Sequence, residues 1–257
     1  MPHNYIICTT QRSGKTWLAF TLRCLGAGDA PEYITLLHRN KAGLVAAWDR
    51  GGLAGFVDAF LRQQDDGEKK RPAGLSVPWN ELSWLARRSG LSEADLLDRL
   101  VELMGENTKL IFLVRRDIVA QAVSHFLLRK TGYAHSFHGE DRRESRASVE
   151  YDAREISRYL SFSQTAYMSW QALLKDRPHC VVQYEALAAD TVNEVRRLLA
   201  YIQFGHDLTD AEIRRCAGKT KRVGDELNEE MIARFVSDPD YQPRIAEAKK
   251  RMLCGRT

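Results

Sequence analysis

The chain has 257 residues, 44% of them hydrophobic and 28% charged, ordinary proportions for a globular protein able to bury a sizeable core. That length suits one large domain, or one domain with an appended helical part. No apolar run reaches the roughly 18 residues of a membrane span, and the formal net charge of +4 fits an anionic small ligand while being too small to argue for nucleic acid.

The first element predicted is a short buried-type strand over residues 5–10, written YIICTT. A turn over 11–14 leads into a helix over about 15–25, with Leu18, Leu22 and Leu25 on one face, stopped by Gly26 and Gly28. The stretch from about 30 to 106 reads as mostly helical. Gly51-Gly52 and the polar run 63–71 mark loops inside it, and Ser92 with Asp95 forms a helix-capping pair. A second strong strand, KLIFLV, covers 109–114 and runs into Arg115-Arg116-Asp117 and a helix to about 129. Residues 130–148, rich in charge, Gly and His, read as a long surface loop. A long helix over about 150–174, a third strand over 179–184 and a helix over 191–201 follow. The tail from 207 on reads as short helices separated by the basic loop Lys219-Thr220-Lys221-Arg222.

Apolar strands alternating with helices predict an α/β fold, a central parallel sheet flanked by helices, with ligands bound beyond the carboxyl ends of the strands. Two loops fall at such ends. The first, TTQRSGKTWL, joins a strand, a tight turn and a helix start. Turn N–H groups and the helix dipole favour an anion there, and Gly14 lets backbone approach closely. Arg12 and Lys15 add charge, and Ser13 and Thr16 add hydroxyl donors. The full nucleotide-triphosphate loop has Gly, four residues, then Gly-Lys-Ser/Thr. Its first Gly would stand at position 9, where this chain has Thr9. A shorter turn holding a single phosphate fits better than the long loop of an ATP or GTP enzyme. In the second loop, Arg115 at a strand end and Ser124 on the next helix can clamp a second phosphate, with Asp117 and Gln121 on the same helical face. Two phosphate sites on one sheet suit a nucleotide carrying phosphate on both its 5′ and 3′ sides.

These residues resemble those of the sulfotransferases that use 3′-phosphoadenosine 5′-phosphosulfate (PAPS). YIICTTQRSGKTWL resembles their 5′-phosphosulfate loop, and LVRRDIVAQAVSHF, 113–126, resembles their 3′-phosphate segment. The Gln121-Ala122-Val123-Ser124 ending, the Gly28 to Tyr33 segment, VVQYEALAAD at 181–190 and VPWNEL at 77–82 are similar to the bacterial trehalose 2-sulfotransferase group. The resemblance implies a P-loop-like single domain over 1–257, with a helical insertion at about 35–106 and a helical tail at about 205–257. It implies that Arg12, Ser13, Gly14, Lys15 and Thr16 hold the donor's 5′ side. Arg115 and Ser124 hold its 3′-phosphate, with Arg222 closing over it. Glu32 is implied as general base, and Arg12 and Lys15 as catalytic cations in an in-line transfer of the sulfuryl group to a hydroxyl. The products are adenosine 3′,5′-bisphosphate (PAP) and a sulfated small molecule, a carbohydrate or glycolipid, and no metal is required.

This chain departs from the family at three points. Lys15 stands where Ser or Thr is usual, and either touches the donor's bridging oxygen or faces solvent. Pro31 directly precedes Glu32, and Asp29 and His38 are rival bases. Ser76 takes the position of a lysine of the trehalose group. Two other functions stay open: a P-loop kinase using ATP and magnesium, and a non-catalytic nucleotide-binding protein of the same fold. The start of the chain has no cationic region followed by an apolar stretch, so no signal peptide is expected. Cys8, Cys24, Cys180, Cys216 and Cys254 are odd in number and widely spaced. They suggest neither a metal site nor a disulfide framework, so a cytoplasmic setting is the default. A homodimer is compatible with all of this.

Overall fold

The computed structural model describes residues 3–64, 71–132, 149–205, 207–218 and 226–253. Four strands form one parallel sheet: β1 (Tyr5–Thr9), β2 (Gly74–Pro78), β3 (Lys109–Val114) and β4 (His179–Gln183), in the order β2-β1-β3-β4. β1 is central and every one of its residues is buried, which is why it reads as an unbroken apolar run. Its side chains alternate: Ile6 and Cys8 enter one core, Tyr5 and Ile7 the other.

The first core packs against helices α2 (Tyr33–His38), α3 (Ala42–Gln64), α4 (Trp79–Ser89) and α5 (Glu93–Met104). The second packs against α1 (Lys15–Cys24), and against α8 (Tyr184–Ala189), α9 (Thr191–Tyr201) and α10 (Asp210–Ala217). A third core joins α6 (Ile118–Thr131), α7 (Ala153–Leu174), α11 (Glu226–Ser237) and α12 (Gln242–Leu253). From β1 the chain crosses to β2 on one side. It then returns past β1 to β3 on the other. The direction of winding therefore reverses between β1 and β3, and it is beyond the carboxyl ends of strands at such a switch point that sheets of this kind bind ligands.

Three differences from the sequence reading have physical causes. The segment read as mostly helical contains β2, whose five residues, GLSVP, begin with Gly and end with Pro. Local propensity opposes a strand there, and pairing with β1 imposes it. Gly51-Gly52, read as a loop, is a two-residue break where two helical segments meet. It breaks the backbone inside α3, with Gly52 at φ 57°. Cys24 and Cys216 form a disulfide across 192 residues, against the expectation of no disulfide. Spacing carries no signal at that distance. The bond arises because α1 and α10 pack together on one face of the sheet, where Trp17 Nε1 also donates to the Ala217 carbonyl at 2.9 Å. Cys8 and Cys180 are buried free thiols, and Cys254 lies outside the described residues.

Reduction or a Cys24→Ser substitution is expected to lower stability by about 2–5 kcal/mol, by freeing a long loop in the unfolded chain. Urea unfolding with and without reductant reads this directly. An unchanged midpoint would mean that the bond contributes nothing.

Candidate active site

The turn after β1 is closed from within. Ser13 is fully buried, and its hydroxyl donates to the Thr10 carbonyl at 2.9 Å and meets Thr9 Oγ1 at 2.5 Å. In this structure that hydroxyl, expected from the sequence to face a ligand, holds the turn. Gln121 of α6 reaches across and donates to Thr10 Oγ1 at 2.6 Å and to the Gln11 carbonyl at 2.5 Å. Trp170 Nε1 donates to the Thr9 carbonyl at 2.7 Å. These clasps hold Arg12 at φ 63°, a left-handed conformation costly for a residue with a side chain. Gly14 follows at φ 92°. A left-handed residue on each side of Ser13 makes a concave backbone of the kind that collects N–H groups around an anion.

Gly14 is required twice over. Its φ excludes most side chains, and a Cβ there would lie 2.4 Å from Cδ2 of Tyr184. Tyr184 opens α8 directly after β4 and also packs edge-on against Trp17, at 6.0 Å between ring centres. The Arg115 guanidinium lies over the same tyrosine ring at 4.9 Å.

The two loops named in the sequence meet. Arg12 Nε donates to Ser124 Oγ at 3.0 Å, and Arg115 Nη1 approaches the Arg12 carbonyl at 3.4 Å. Arg12, Arg115 and Ser124 thus form one cationic, hydroxyl-bearing corner between the ends of β1 and β3. The backbone beyond Arg115 is fixed by Glu185, which accepts from Arg116 N and Asp117 N, both at 3.1 Å. Asp117 caps α6, accepting from Ala120 N at 2.9 Å.

Lys15 and Thr16 begin α1. Thr16 is half-buried. The Lys15 side chain is only 8% exposed, which removes the reading of a solvent-facing lysine, and its ammonium is ion-paired with Glu32 Oε1. Burial pulls the Lys15 pKa below its ordinary value, and the fields of Glu32 and Glu81 work against that pull. Glu32 occupies the N-cap position of α2, and its Oε2 accepts from Thr35 Oγ1 at 3.2 Å. The rival bases stand elsewhere. Asp29 pairs with Arg23 at 3.4 Å, in the last turn of α1, whereas Lys15 stands in its first. His38 is exposed, stacks on Trp84 at 4.5 Å, and sits 3.4 Å from Glu81 Oε2.

Glu81, Gln121, Tyr184 and Glu185 also line this region, although the sequence assigns them no role. Glu81 is a buried carboxylate in the first turn of α4. Its neighbour Asn80 touches both it and Gln11 of the turn, each at 3.4 Å. Tyr184 and Glu185 follow a strand directly, so the rule that sites gather at carboxyl ends of strands would have found them. Gln121 shares the helical face of Ser124. His125 packs on Tyr159 at 4.4 Å. Burial first, and then Arg12 and Arg129, lower its pKa to about 4, so it is neutral at physiological pH. Arg222, His135 and His138 lie outside the described residues.

Residues 4–238 match the family model described as Stf0 sulphotransferase. No curated protein matches the chain in sequence. In fold it is similar to mouse sulfotransferase SULT7A1 complexed with PAP, with a TM-score of 0.54, 14% identity, and coverage of 99% of this chain and 86% of that one. It is also similar to the sulfotransferase domain from the curacin biosynthetic pathway, with a TM-score of 0.50, 14% identity, and coverage of 96% and 97%.

Proposed function

The chain belongs to the Stf0 sulphotransferase family, and on that premise we propose that it moves the sulfuryl group of PAPS to a hydroxyl of a small molecule, a carbohydrate or glycolipid. The observation that carries this reading is the corner where Arg12, Arg115 and Ser124 meet, between two adjacent strand ends. It adjoins an anion-shaped turn whose glycine has no room for a Cβ. One anion on the turn and a second at Arg115 and Ser124 match a nucleotide with phosphate on both sides of its ribose. The donor supplies an activated sulfur joined to phosphate through a bridging oxygen.

The residues divide the work as follows. Gln11 to Thr16 hold the 5′ side, chiefly through backbone N–H groups and the start of α1, since the Ser13 hydroxyl is engaged inside the turn. Arg115 and Ser124 hold the 3′-phosphate, with Arg222 joining them. Glu32 takes the proton of the acceptor hydroxyl as that oxygen bonds to sulfur. The bond from sulfur to the bridging oxygen breaks, and its electron pair stays with PAP. Arg12 and Lys15 stabilise the charge left on that oxygen. Arg12, held by Ser124, is a cation placed in advance, which suits this role because it needs no reorganisation as charge develops. Transfer in this scheme uses no metal.

Homodimerisation remains part of the proposal, whereas the Cys24–Cys216 bond removes the ground on which a cytoplasmic setting was expected. Among the described residues no helix is long and apolar enough to cross a membrane.

A thermal-shift panel tests the reading. ATP, GTP, PAP and 5′-AMP are each compared with and without magnesium. A ligand at a hundred times its dissociation constant stabilises by about 2.7 kcal/mol. PAP is expected to give the largest shift, independent of magnesium. A preference for ATP with magnesium would overturn the proposal in favour of a kinase. Binding of PAP with no transfer to any hydroxyl would leave a non-catalytic nucleotide-binding protein.

A further inference from the structure

Lys15 stands where the anion-shaped turn becomes helix, yet its ammonium is already engaged by Glu32. The contact joins the two halves of the proposed reaction, since Lys15 belongs to the donor turn and Glu32 heads α2 beside it. With its side chain 8% exposed, Lys15 has little water to carry its charge and must rest on an anion. Glu32 supplies that anion by contact, and buried Glu81 supplies a weaker field. Glu32 is held in place at its other oxygen by Thr35 Oγ1. Its carboxylate is 34% exposed, so it can stay solvated if the lysine leaves. A carboxylate bound to an ammonium is a poor proton acceptor. An ammonium bound to a carboxylate is, equally, not yet given to a donor.

We propose that Lys15, before it serves the donor, masks Glu32 until the donor arrives. The anionic phosphosulfate on the 11–16 turn draws the ammonium away, and Glu32 becomes able to accept a proton only then. Acceptor activation is thereby tied to prior donor binding. The device rests on the sulfotransferase reading above, and it follows from this chain's lysine and its contact.

A double-mutant cycle tests it without knowledge of the acceptor. PAPS and PAP are titrated calorimetrically into the wild type, Glu32→Gln, Lys15→Met and the double variant. If the donor must compete with Glu32 for Lys15, Glu32→Gln tightens PAPS binding about tenfold, equivalent to about 1.4 kcal/mol. In the Lys15→Met background the same change alters binding by less than about twofold. Lys15→Gln replaces Lys15→Met if the latter does not fold, and Lys15→Arg is expected to preserve the coupling. Equal tightening in both backgrounds would mean simple repulsion between Glu32 and the donor, and would overturn the masking role. So would a Glu32→Gln variant that binds PAPS no better than wild type. Failure of the wild type to bind either nucleotide would instead sink the donor assignment, and the masking role with it.

Discussion

Glu32→Gln is expected to cut sulfuryl transfer by about 10²- to 10⁴-fold, the usual contribution of a positioned proton acceptor, while PAP binds no more weakly than to wild type. The amide keeps the shape of the carboxylate and its place at the head of α2, where Thr35 Oγ1 donates to Oε2. It loses the proton affinity and the charge. Glu32 is proposed over Asp29 on contact. Glu32 touches the first residue of the helix that starts at the anion turn, whereas Asp29 is tied to Arg23 at the far end of that helix. The measurement is release of PAP, or movement of radiolabelled sulfur from PAPS, against any hydroxyl acceptor that supports turnover. Asp29→Asn serves as the control, with expected loss below about twofold, as for surface substitutions away from a site. Unchanged turnover in Glu32→Gln would remove it from the mechanism.

Arg115→Ala is expected to abolish the advantage of PAP over 5′-AMP. The guanidinium sits at the end of β3, fixed from one side by the Tyr184 ring and near the Arg12 carbonyl on the other. A charge-assisted hydrogen bond of this type is worth about 1.5–3 kcal/mol, or roughly 10- to 150-fold in affinity. PAP should weaken by that factor, and 5′-AMP, which lacks the 3′-phosphate, should change little. Calorimetry with both nucleotides reads the split. Arg115→Lys should fall between, since it keeps the charge but loses the planar fork. An equal loss for both ligands would mean that Arg115 only supports the turn through Arg12 and Tyr184.

The parts of the site legible in the sequence were local ones. Tyr5–Thr9 and Lys109–Val114 announce themselves as buried strands by unbroken apolar runs. Arg12-Ser13-Gly14-Lys15-Thr16 announces a strand-to-helix turn because a flexible glycine and short polar residues fall between an apolar run and a helical pattern. The Ser92 cap was legible for the same reason, and its hydroxyl does accept from Asp95 N at 3.1 Å. Such signals depend on neighbours a few residues apart, so no knowledge of the fold is needed to read them.

What the linear pattern could not convey depends on segments that meet only after folding. β2 is a strand because β1 lies beside it, not because GLSVP favours one. Cys24 finds Cys216 because two helices share one face of the sheet. The direction of the Ser13 hydroxyl was decided by burial: a side chain with no exposure must satisfy its oxygen inside the protein, and Thr9 and Thr10 were nearest. The same logic governs Lys15. The sequence placed a lysine at the end of the turn after β1. The packing that excludes water from it then required a counter-charge, and the path of the chain from α1 into α2 made that counter-charge Glu32.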